Sequence, residues 1–304
     1  MSLPKRISKR LNLTLNKTLY ARTTRGILST KPLAAGDLPF MALSMVHKRD
    51  VLSYLVAIKS FAMHANPQRV VIVCDPSIGD AERHIFKQHI PHVELRRAEE
   101  FRHVAIPQGG CWERLSAISQ YAPENYVVQL DADTVTVGAV PEVVSAIRGE
   151  HGFVLAEEPE QRIVTLEETA ERARPWVSPT VHIQGLAEAL MVEAGLNQPL
   201  YVRGCAGFTG FPKTATMQAE LFDFSVKMRE KTNSRWSDWG TEQVASNFLV
   251  ANAPGTTTLP FPMYGTPNKA DDHTAFLHFI GSMRFINRMY ETVSGKIVGT
   301  LRSR

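Results

Sequence analysis

Apolar residues follow two patterns in the first half of the chain. Short continuous apolar runs are typical of strands buried on both faces, and they occur at residues 41–46, 69–74 and 126–130. Between them lie segments that predict helices, at residues 51–63, 80–89 and 112–121. The first of these segments places Val51, Leu55, Ile58 and Ala62 on one helical face, and Asp50 precedes it in the position of an N-cap. Strands that alternate with helices of this length predict parallel βαβ units with right-handed crossovers.

The second half is less regular but continues the same domain. It contains a strand candidate at residues 152–156, a glycine-rich segment at 203–213, and helix candidates at 165–173, 184–194, 216–227 and after Asp238. Internal repeats and linker-like tracts are absent from the sequence. We therefore expect a single α/β domain over residues 38–304, with a mixed, mostly parallel sheet flanked by helices, preceded by a segment over residues 1–37.

Three loops are expected to meet at one edge of this sheet. Residues 47–50, 75–79 and 131–134 each follow a predicted strand. In an open parallel sheet, ligands bind outside the carboxyl ends of the strands. The sequence therefore predicts one cleft formed by these three loops.

The third loop carries two aspartates after an apolar strand, Asp131 and Asp133, separated by Ala132. A buried carboxylate is costly unless it is paired, and the small Ala132 lets both carboxylates face one cation. Hard oxygen ligands suit Mg²⁺ or Mn²⁺, and an added imidazole favours Mn²⁺. The alternative is that these strand-end aspartates cap the following turn.

Charge is distributed unevenly. The 304 residues carry a formal net charge of +4, but eight basic residues and no acidic residue precede Asp37. Without those eight, 26 of the 34 basic residues remain against 30 acidic residues, so the rest of the chain is net −4. A nucleic-acid-binding face should be basic on the folded body, so the sequence argues against a nucleic-acid partner.

The basic N-terminal arm has a loose apolar stripe, with Ile7, Leu11, Leu15 and Leu19 at four-residue spacing. Such a segment can lie on an anionic membrane surface through residues 1–31. The alternatives are a flexible basic tail or an arm packed on the body.

Other features of the composition point to the cytoplasm. The chain shows no secretory signal and no apolar run of the roughly 18 residues that a membrane span needs. Its three cysteines are widely spaced and suggest neither a disulfide framework nor a zinc site. We expect a cytoplasmic protein. Because of the basic arm, peripheral contact with the inner face of the membrane stays an open alternative.

A second motif lies far from the aspartates. After the apolar residues 275–277 comes HFIGSMR, a His-x-x-Gly-x-x-Arg motif formed by His278, Gly281 and Arg284. Together with Asp-x-Asp after an apolar strand, it resembles the nucleotide-sugar glycosyltransferases of GT-A (Rossmann-like) fold. The resemblance is strongest to glycosyltransferase family eight, which includes glycogenins and bacterial galactosyltransferases. The two motifs in this order are expected by chance in about 2% of such chains.

The resemblance implies roles for the matching residues. Asp131, Asp133 and His278 would bind the metal, Mn²⁺ or Mg²⁺, with Asp131 also near the ribose of the donor. Arg284, where the family usually has lysine, would contact the diphosphate, and Gly281 would let the backbone approach it.

Further matches are looser. Arg114 lies where family members often have a basic residue near the donor. Residues 203–207 resemble the family's Asn/Ser-Ala-Gly segment. Gln243 matches the glutamine that lies beneath the anomeric carbon in retaining relatives, whereas Asp238 or Glu242 offers the base that an inverting enzyme needs.

The sequence therefore predicts a metal-dependent, hexosyltransferase-like glycosyltransferase that moves a sugar from a UDP-sugar to a glycan or lipid-linked glycan, with retention favoured. Bacterial-type glycan or polysaccharide synthesis is the expected setting. His47, Lys48, Arg49 and Asp75, in the first two strand-end loops, would hold the base and ribose. One alternative is a sugar nucleotidyltransferase, although its glycine-rich phosphate loop is missing from the sequence. The other is a non-catalytic binding protein on the same fold.

Overall fold

The computed structural model describes residues 3–281 and 283–304, with the side chains of residues 3–9 and 11 excepted. Over these residues the helices are α1 Leu3–Thr24, α2 Val51–Ala62, α3 Asp80–His89, α4 Trp112–Tyr121, α5 Pro141–Gly149, α6 Leu166–Ala173, α7 Ile183–Leu190, α8 Met217–Thr232, α9 Thr241–Ala251 and α10 Met289–Ser303. The strands are β1 Leu38–Val46, β2 Pro67–Cys74, β3 Glu94–Arg97, β4 Tyr126–Leu130, β5 Thr134–Thr136, β6 Phe153–Leu155, β7 Val164–Thr165, β8 Leu200–Tyr201, β9 Cys205–Phe211, β10 Thr257–Thr258, β11 Tyr264–Gly265 and β12 Phe276–His278.

The central sheet has seven strands in the order β10-β6-β9-β4-β1-β2-β3. Neighbouring strands are parallel except at β9, which runs antiparallel to both β4 and β6. The predicted α/β fold, with a mixed and mostly parallel sheet flanked by helices, is confirmed.

Apolar layers cover both faces of this sheet because successive side chains of a strand point to opposite sides. In β1, Phe40 and Ala42 belong to one buried layer, whereas Met41 and Leu43 belong to the other. This explains why the central strands are continuous apolar runs rather than alternating ones.

A small second sheet, in the order β11-β12-β5, was not predicted. Its strands β12 and β5 are antiparallel, and His278 is paired with Thr134. This pairing brings the late part of the chain to the residues that follow β4.

Two local predictions were wrong. The helix predicted over 184–194 ends at Leu190, and turns lead from it to Gly195, whose φ is +63°. Asp50 does precede α2, but within the described residues its carboxylate makes no N-cap hydrogen bond to the helix. That carboxylate binds arginine instead, as shown below.

The second half of α1 packs on the body of the protein. Asn16 Nδ2 donates to the carbonyl oxygen of Phe285 at 2.9 Å, and Thr23 Oγ1 donates to Glu291 Oε1 at 3.0 Å. Tyr20 is buried and stacks on Tyr290 with ring centroids 4.1 Å apart. The predicted apolar stripe begins in the N-terminal half of the helix, where the side chains of Ile7 and Leu11 lie outside the described residues.

Among the described helices, none combines enough length with enough apolar character to span a membrane.

Candidate active site

The two aspartates follow β4 at the carboxyl edge of the central sheet, and backbone hydrogen bonds fix the turn that carries them. The amide of Asp131 donates to the carbonyl of Gly207 at 2.9 Å, and the amide of Phe279 donates to the carbonyl of Asp133 at 2.9 Å. Asp133 is buried, with 4% of its surface exposed, whereas the Asp131 side chain is 27% exposed. The turn is therefore tied to β9 on one side and to the end of β12 on the other.

His278 completes a potential metal site. Its Nε2 atom lies 3.2 Å from Asp133 Oδ1 and 3.7 Å from Asp131 Oδ2. One ligand atom from each of the three residues lies within 4.8 Å of the others. Carboxylate oxygens and an imidazole nitrogen at these separations fit a divalent cation such as Mn²⁺. The structure therefore brings together the three predicted metal ligands.

Gly207 makes room for the His278 ring. A Cβ atom at position 207 would lie 2.1 Å from His278 Cε1, much closer than any van der Waals contact. Cys205 Sγ lies 3.1 Å from Nδ1 of the same ring. A hydrogen bond from Nδ1–H to sulfur would leave Nε2 free to face the aspartates, and such outer partners orient metal-binding histidines.

Arg284 links the aspartates to the start of α2. Its Nη2 atom lies 2.6 Å from Asp133 Oδ2, and its Nη1 atom lies 2.8 Å from Asp50 Oδ1. Asp50 is buried, so its carboxylate needs a charged partner, and Arg284 supplies it. This contact explains why Asp50 does not cap α2.

Neighbouring charges shift the pKa values of this cluster. Burial favours the neutral form of Asp133, but the charges of His278 and Arg284 outweigh burial and lower the pKa of Asp133 to about 2. Burial also opposes the charge of His278, yet the Cys205 sulfur and the Asp133 carboxylate raise the pKa of His278 well above its ordinary value.

Arg114 connects the aspartates to α9. It is buried on α4, where its guanidinium contacts Asp131 Oδ1 and lies 3.1 Å from Glu242 Oε1. Burial raises the pKa of Glu242 to about 7, against the opposing effect of Arg114. Arg114 therefore links Glu242 to Asp131.

The first two strand-end loops also meet, because β1 pairs with β2 up to Val46 and Cys74. His47 Nδ1 lies 3.0 Å from Asp75 Oδ2. Lys48 and Arg49 lie on the same loop, Lys48 Nζ being 3.1 Å from Glu82 Oε1 and Arg49 Nε 3.4 Å from Asp50 Oδ2. The predicted convergence of these loops is thus present in the structure.

A cavity of about 500 Å³ lies beside the metal-binding cluster. Its walls are formed by the loop at residues 48–50, the first residues of α2, one face of α1, and Gly281, Arg284 and Phe285. Among the described atoms, none lies within 4 Å of the position that a Cβ of Gly281 would occupy.

The remaining predicted catalytic residues, Gln243 and Asp238, form hydrogen bonds with residues outside the cluster. Gln243 Nε2 donates weakly to Gln184 Oε1 at 3.4 Å, and Gln184 in turn donates to Glu188 Oε1 at 3.1 Å. Asp238 is exposed, and Arg235 Nε donates to its carboxylate at 3.1 Å. The structure therefore brings Gln243 to a polar network on α7, while Asp238 pairs locally.

Several residues of the site escaped prediction. Asp50 was interpreted as a helix cap, and Cys205 only as part of the segment at residues 203–207. Their partners are 234 and 73 positions away in the chain, respectively, so no local pattern reveals these contacts. Gln184 and Glu188 were not predicted either. Their one signal in the sequence is their four-residue spacing on a predicted helix, which indicates a shared helical face.

A solved structure shares this architecture. A crystal structure of an active-site mutant of LgtC matches with a TM-score of 0.54 and 13% identity, over 86% of this chain and 96% of that one. The fold is that of the GT-A glycosyltransferases. The galactosyltransferase LgtC in complex with donor and acceptor sugar analogues matches with a TM-score of 0.49 and 13% identity, over 86% and 96% of the two chains. Mouse xyloside xylosyltransferase 1 in its apo form gives a TM-score of 0.48 and 13% identity, over 80% and 98%.

No known protein family and no curated protein matches the sequence. At 13% identity the structural likeness establishes the fold alone. The predicted GT-A fold is confirmed, and the activity has to be argued from the site.

Proposed function

We propose that this protein is a metal-dependent glycosyltransferase that transfers a sugar from a UDP-sugar to a hydroxyl group of a glycan or lipid-linked glycan. One observation carries the proposal: on a GT-A fold, Asp131, Asp133 and His278 converge at the carboxyl edge of the sheet, although His278 is 145 positions from Asp133. The cavity of about 500 Å³ beside this cluster has the size of a small-molecule site.

The three residues would hold a divalent cation, and their mixed oxygen and nitrogen donors favour Mn²⁺ over Mg²⁺. When bound, the cation would offset the negative charge that grows on the departing diphosphate. The carboxylate of Asp131 is the more exposed of the two, so it is also the one available to the ribose.

Arg284 would bind the diphosphate. Its guanidinium already bridges Asp133 and Asp50 at the wall of the cavity. The planar fork can donate two parallel hydrogen bonds to phosphate oxygens, which strengthen as the leaving group gains charge. Gly281 leaves space for phosphate oxygens to approach the backbone.

The strand-end loops would hold the nucleoside. His47 and Asp75 lie together at the carboxyl ends of β1 and β2, and Lys48 and Arg49 continue the first loop. Arg114 would keep Asp131 oriented, because it contacts that carboxylate from a buried position.

The sugar would lie on the side of α9. Gln243 is half-buried at the start of this helix, where its amide can face the anomeric carbon, as the resemblance to retaining enzymes suggests. Glu242 is buried against Arg114, so we assign it to the positioning of that arginine. Asp238 remains the exposed carboxylate that an inverting reaction would use as its base.

Incubation with a panel of UDP-hexoses and Mn²⁺ tests the proposal, with release of UDP as the readout. We expect release from at least one donor, its loss in EDTA, and its loss in Asp133→Asn. The anomeric configuration of the product, measured by NMR, then distinguishes retention from inversion. No release from any UDP-hexose of the panel, together with no binding of UDP, would contradict the proposal and favour a non-catalytic binding protein.

A further inference from the structure

The cavity beside the metal-binding cluster has one wall that comes from outside the central sheet. This wall is a face of α1, which contributes Lys17, Tyr20, Ala21 and Thr24. Its other walls carry Lys48, Arg49 and Arg284, which have been assigned to the nucleotide and its diphosphate. The N-terminal helix thus borders the proposed donor site.

The walls of the cavity are basic. Lys17, Lys48, Arg49 and Arg284 line it, against the single carboxylate of Asp50. Three of these cations have carboxylate partners: Lys48 pairs with Glu82, Arg49 pairs with Asp50, and Arg284 pairs with Asp50 and Asp133. Within the described residues, Lys17 lies within ion-pair distance of no carboxylate, and its side chain is exposed. With these carboxylates counted, the described walls keep one positive charge without a carboxylate partner, that of Lys17, and this charge suits an anionic ligand.

The position of Lys17 is fixed by contacts on both sides of it in the helix. Asn16 Nδ2 donates to the carbonyl of Phe285, the residue after Arg284. Tyr20, one turn later, packs edge-on against Phe285 with ring centroids 5.5 Å apart. The same segment that presents Arg284 to the cavity therefore holds α1 in place.

We propose that α1 is part of the donor site and that Lys17 contacts the diphosphate of the bound nucleotide. The inference rests on the proposed function. It adds to the donor site one residue of α1, a helix to which no metal ligand has been assigned. A lysine suits this role because its ammonium is a point charge on a flexible stem, and it can reach phosphate oxygens without a fixed geometry.

Calorimetric titration of UDP and of uridine, each with Mn²⁺, tests this assignment in the full-length chain. Lys17→Ala removes the proposed contact, and Arg22→Ala is the matched control, because Arg22 is an exposed cation of the same helix that does not line the cavity. Both residues are exposed, so both variants are expected to melt at the wild-type temperature. We expect Lys17→Ala to weaken UDP roughly 5- to 10-fold and to leave uridine unchanged. The control should bind both ligands as the wild type does.

The outcomes separate this inference from the proposed function. If the wild type binds UDP and Lys17→Ala binds it equally well, the role of Lys17 is wrong while the proposed function stands. If Lys17→Ala and Arg22→Ala lose affinity for UDP equally, the effect comes from the general charge of the basic helix. The same holds if Lys17→Ala loses as much affinity for uridine as for UDP. Either result would contradict a contact between Lys17 and the diphosphate. If the wild type does not bind UDP with Mn²⁺, the proposed function fails, and this inference fails with it.

Discussion

The two sides of the candidate site are built differently. On the metal side, Asp131 and Asp133 from the turn after β4 converge with His278 from β12, and both aspartates have arginine partners. On the α9 side, Asp238 is exposed and pairs with Arg235, three positions away. Burying a charged group costs free energy. Several charged residues are buried on the metal side, whereas Asp238 is exposed and has no such cost. The geometry of the metal side is therefore set before a substrate binds, whereas side chains on the α9 side can move when a substrate binds.

Backbone structure enforces the geometry of the metal side. The pairing of His278 with Thr134 fixes the backbone of His278, and the absence of a side chain at Gly207 provides the space that the imidazole occupies. A change at either point should therefore affect the site strongly, whereas changes on the α9 side should be milder.

The largest effect is expected from Gly207→Ala. The new Cβ would lie 2.1 Å from a buried ring, so His278 must move away from the aspartates. We expect the free energy of unfolding to fall by about 1–3 kcal/mol, measured by chemical denaturation, and Mn²⁺-dependent UDP binding to fall more than tenfold. Gly299→Ala is the control, since the described structure has no atom within 4 Å of its Cβ position. Undiminished UDP binding in Gly207→Ala would show that His278 is not a metal ligand.

A second prediction concerns the order of binding. The carboxylates of Asp131 and Asp133 are already paired with Arg114 and Arg284, so the cluster by itself attracts a cation only weakly. A diphosphate supplies the missing negative charge. We expect UDP to raise the affinity for Mn²⁺ at least tenfold, and Mn²⁺ to raise that for UDP equally, because coupling is reciprocal. Calorimetry that finds equally tight Mn²⁺ binding with and without UDP would contradict this charge balance.

The link between the two sides can be tested through pH. The pKa of Glu242 is raised from 4.5 to about 7, so the folded protein binds more protons than the unfolded chain between these values. The stabilising contribution of this group is therefore complete below pH 4.5 and is lost as the pH rises through 7. We expect Glu242→Gln to flatten the decline of the unfolding free energy over this window. An unchanged slope in denaturation curves would show that Glu242 does not titrate there.

The smallest effect is expected from Asp238→Asn. An exposed ion pair such as Asp238–Arg235 contributes little, so the free energy of unfolding should change by less than about 0.5 kcal/mol. If the reaction retains configuration, which the resemblance favours, the turnover should stay within about threefold of wild type, whereas Gln243→Ala should lower it more. A large loss of turnover in Asp238→Asn, with UDP affinity intact, would instead indicate an inverting reaction with Asp238 as its base.

The sequence predicted β1, β2 and β4 and the helices α2, α3 and α4 because these strands are continuous apolar runs separated by helices of regular length. It did not predict β5, β11 and β12, which have only two or three residues and no readable period. His278 was found through its motif, but its contacts with Cys205 and Gly207 depend on the pairing of distant strands. The wall formed by α1 was equally hidden, because the periodicity of a helix does not say what its face covers.

The central claim is that Asp131, Asp133 and His278 hold a metal that binds a nucleoside diphosphate. Calorimetric titration of UDP into the wild-type protein and Asp133→Asn, first with Mn²⁺ and then with EDTA, tests it most directly. We expect UDP to bind the wild type only with Mn²⁺, and Asp133→Asn to bind it at least tenfold more weakly. Equal binding of UDP in EDTA, or by Asp133→Asn, would contradict the claim and leave these aspartates a structural role.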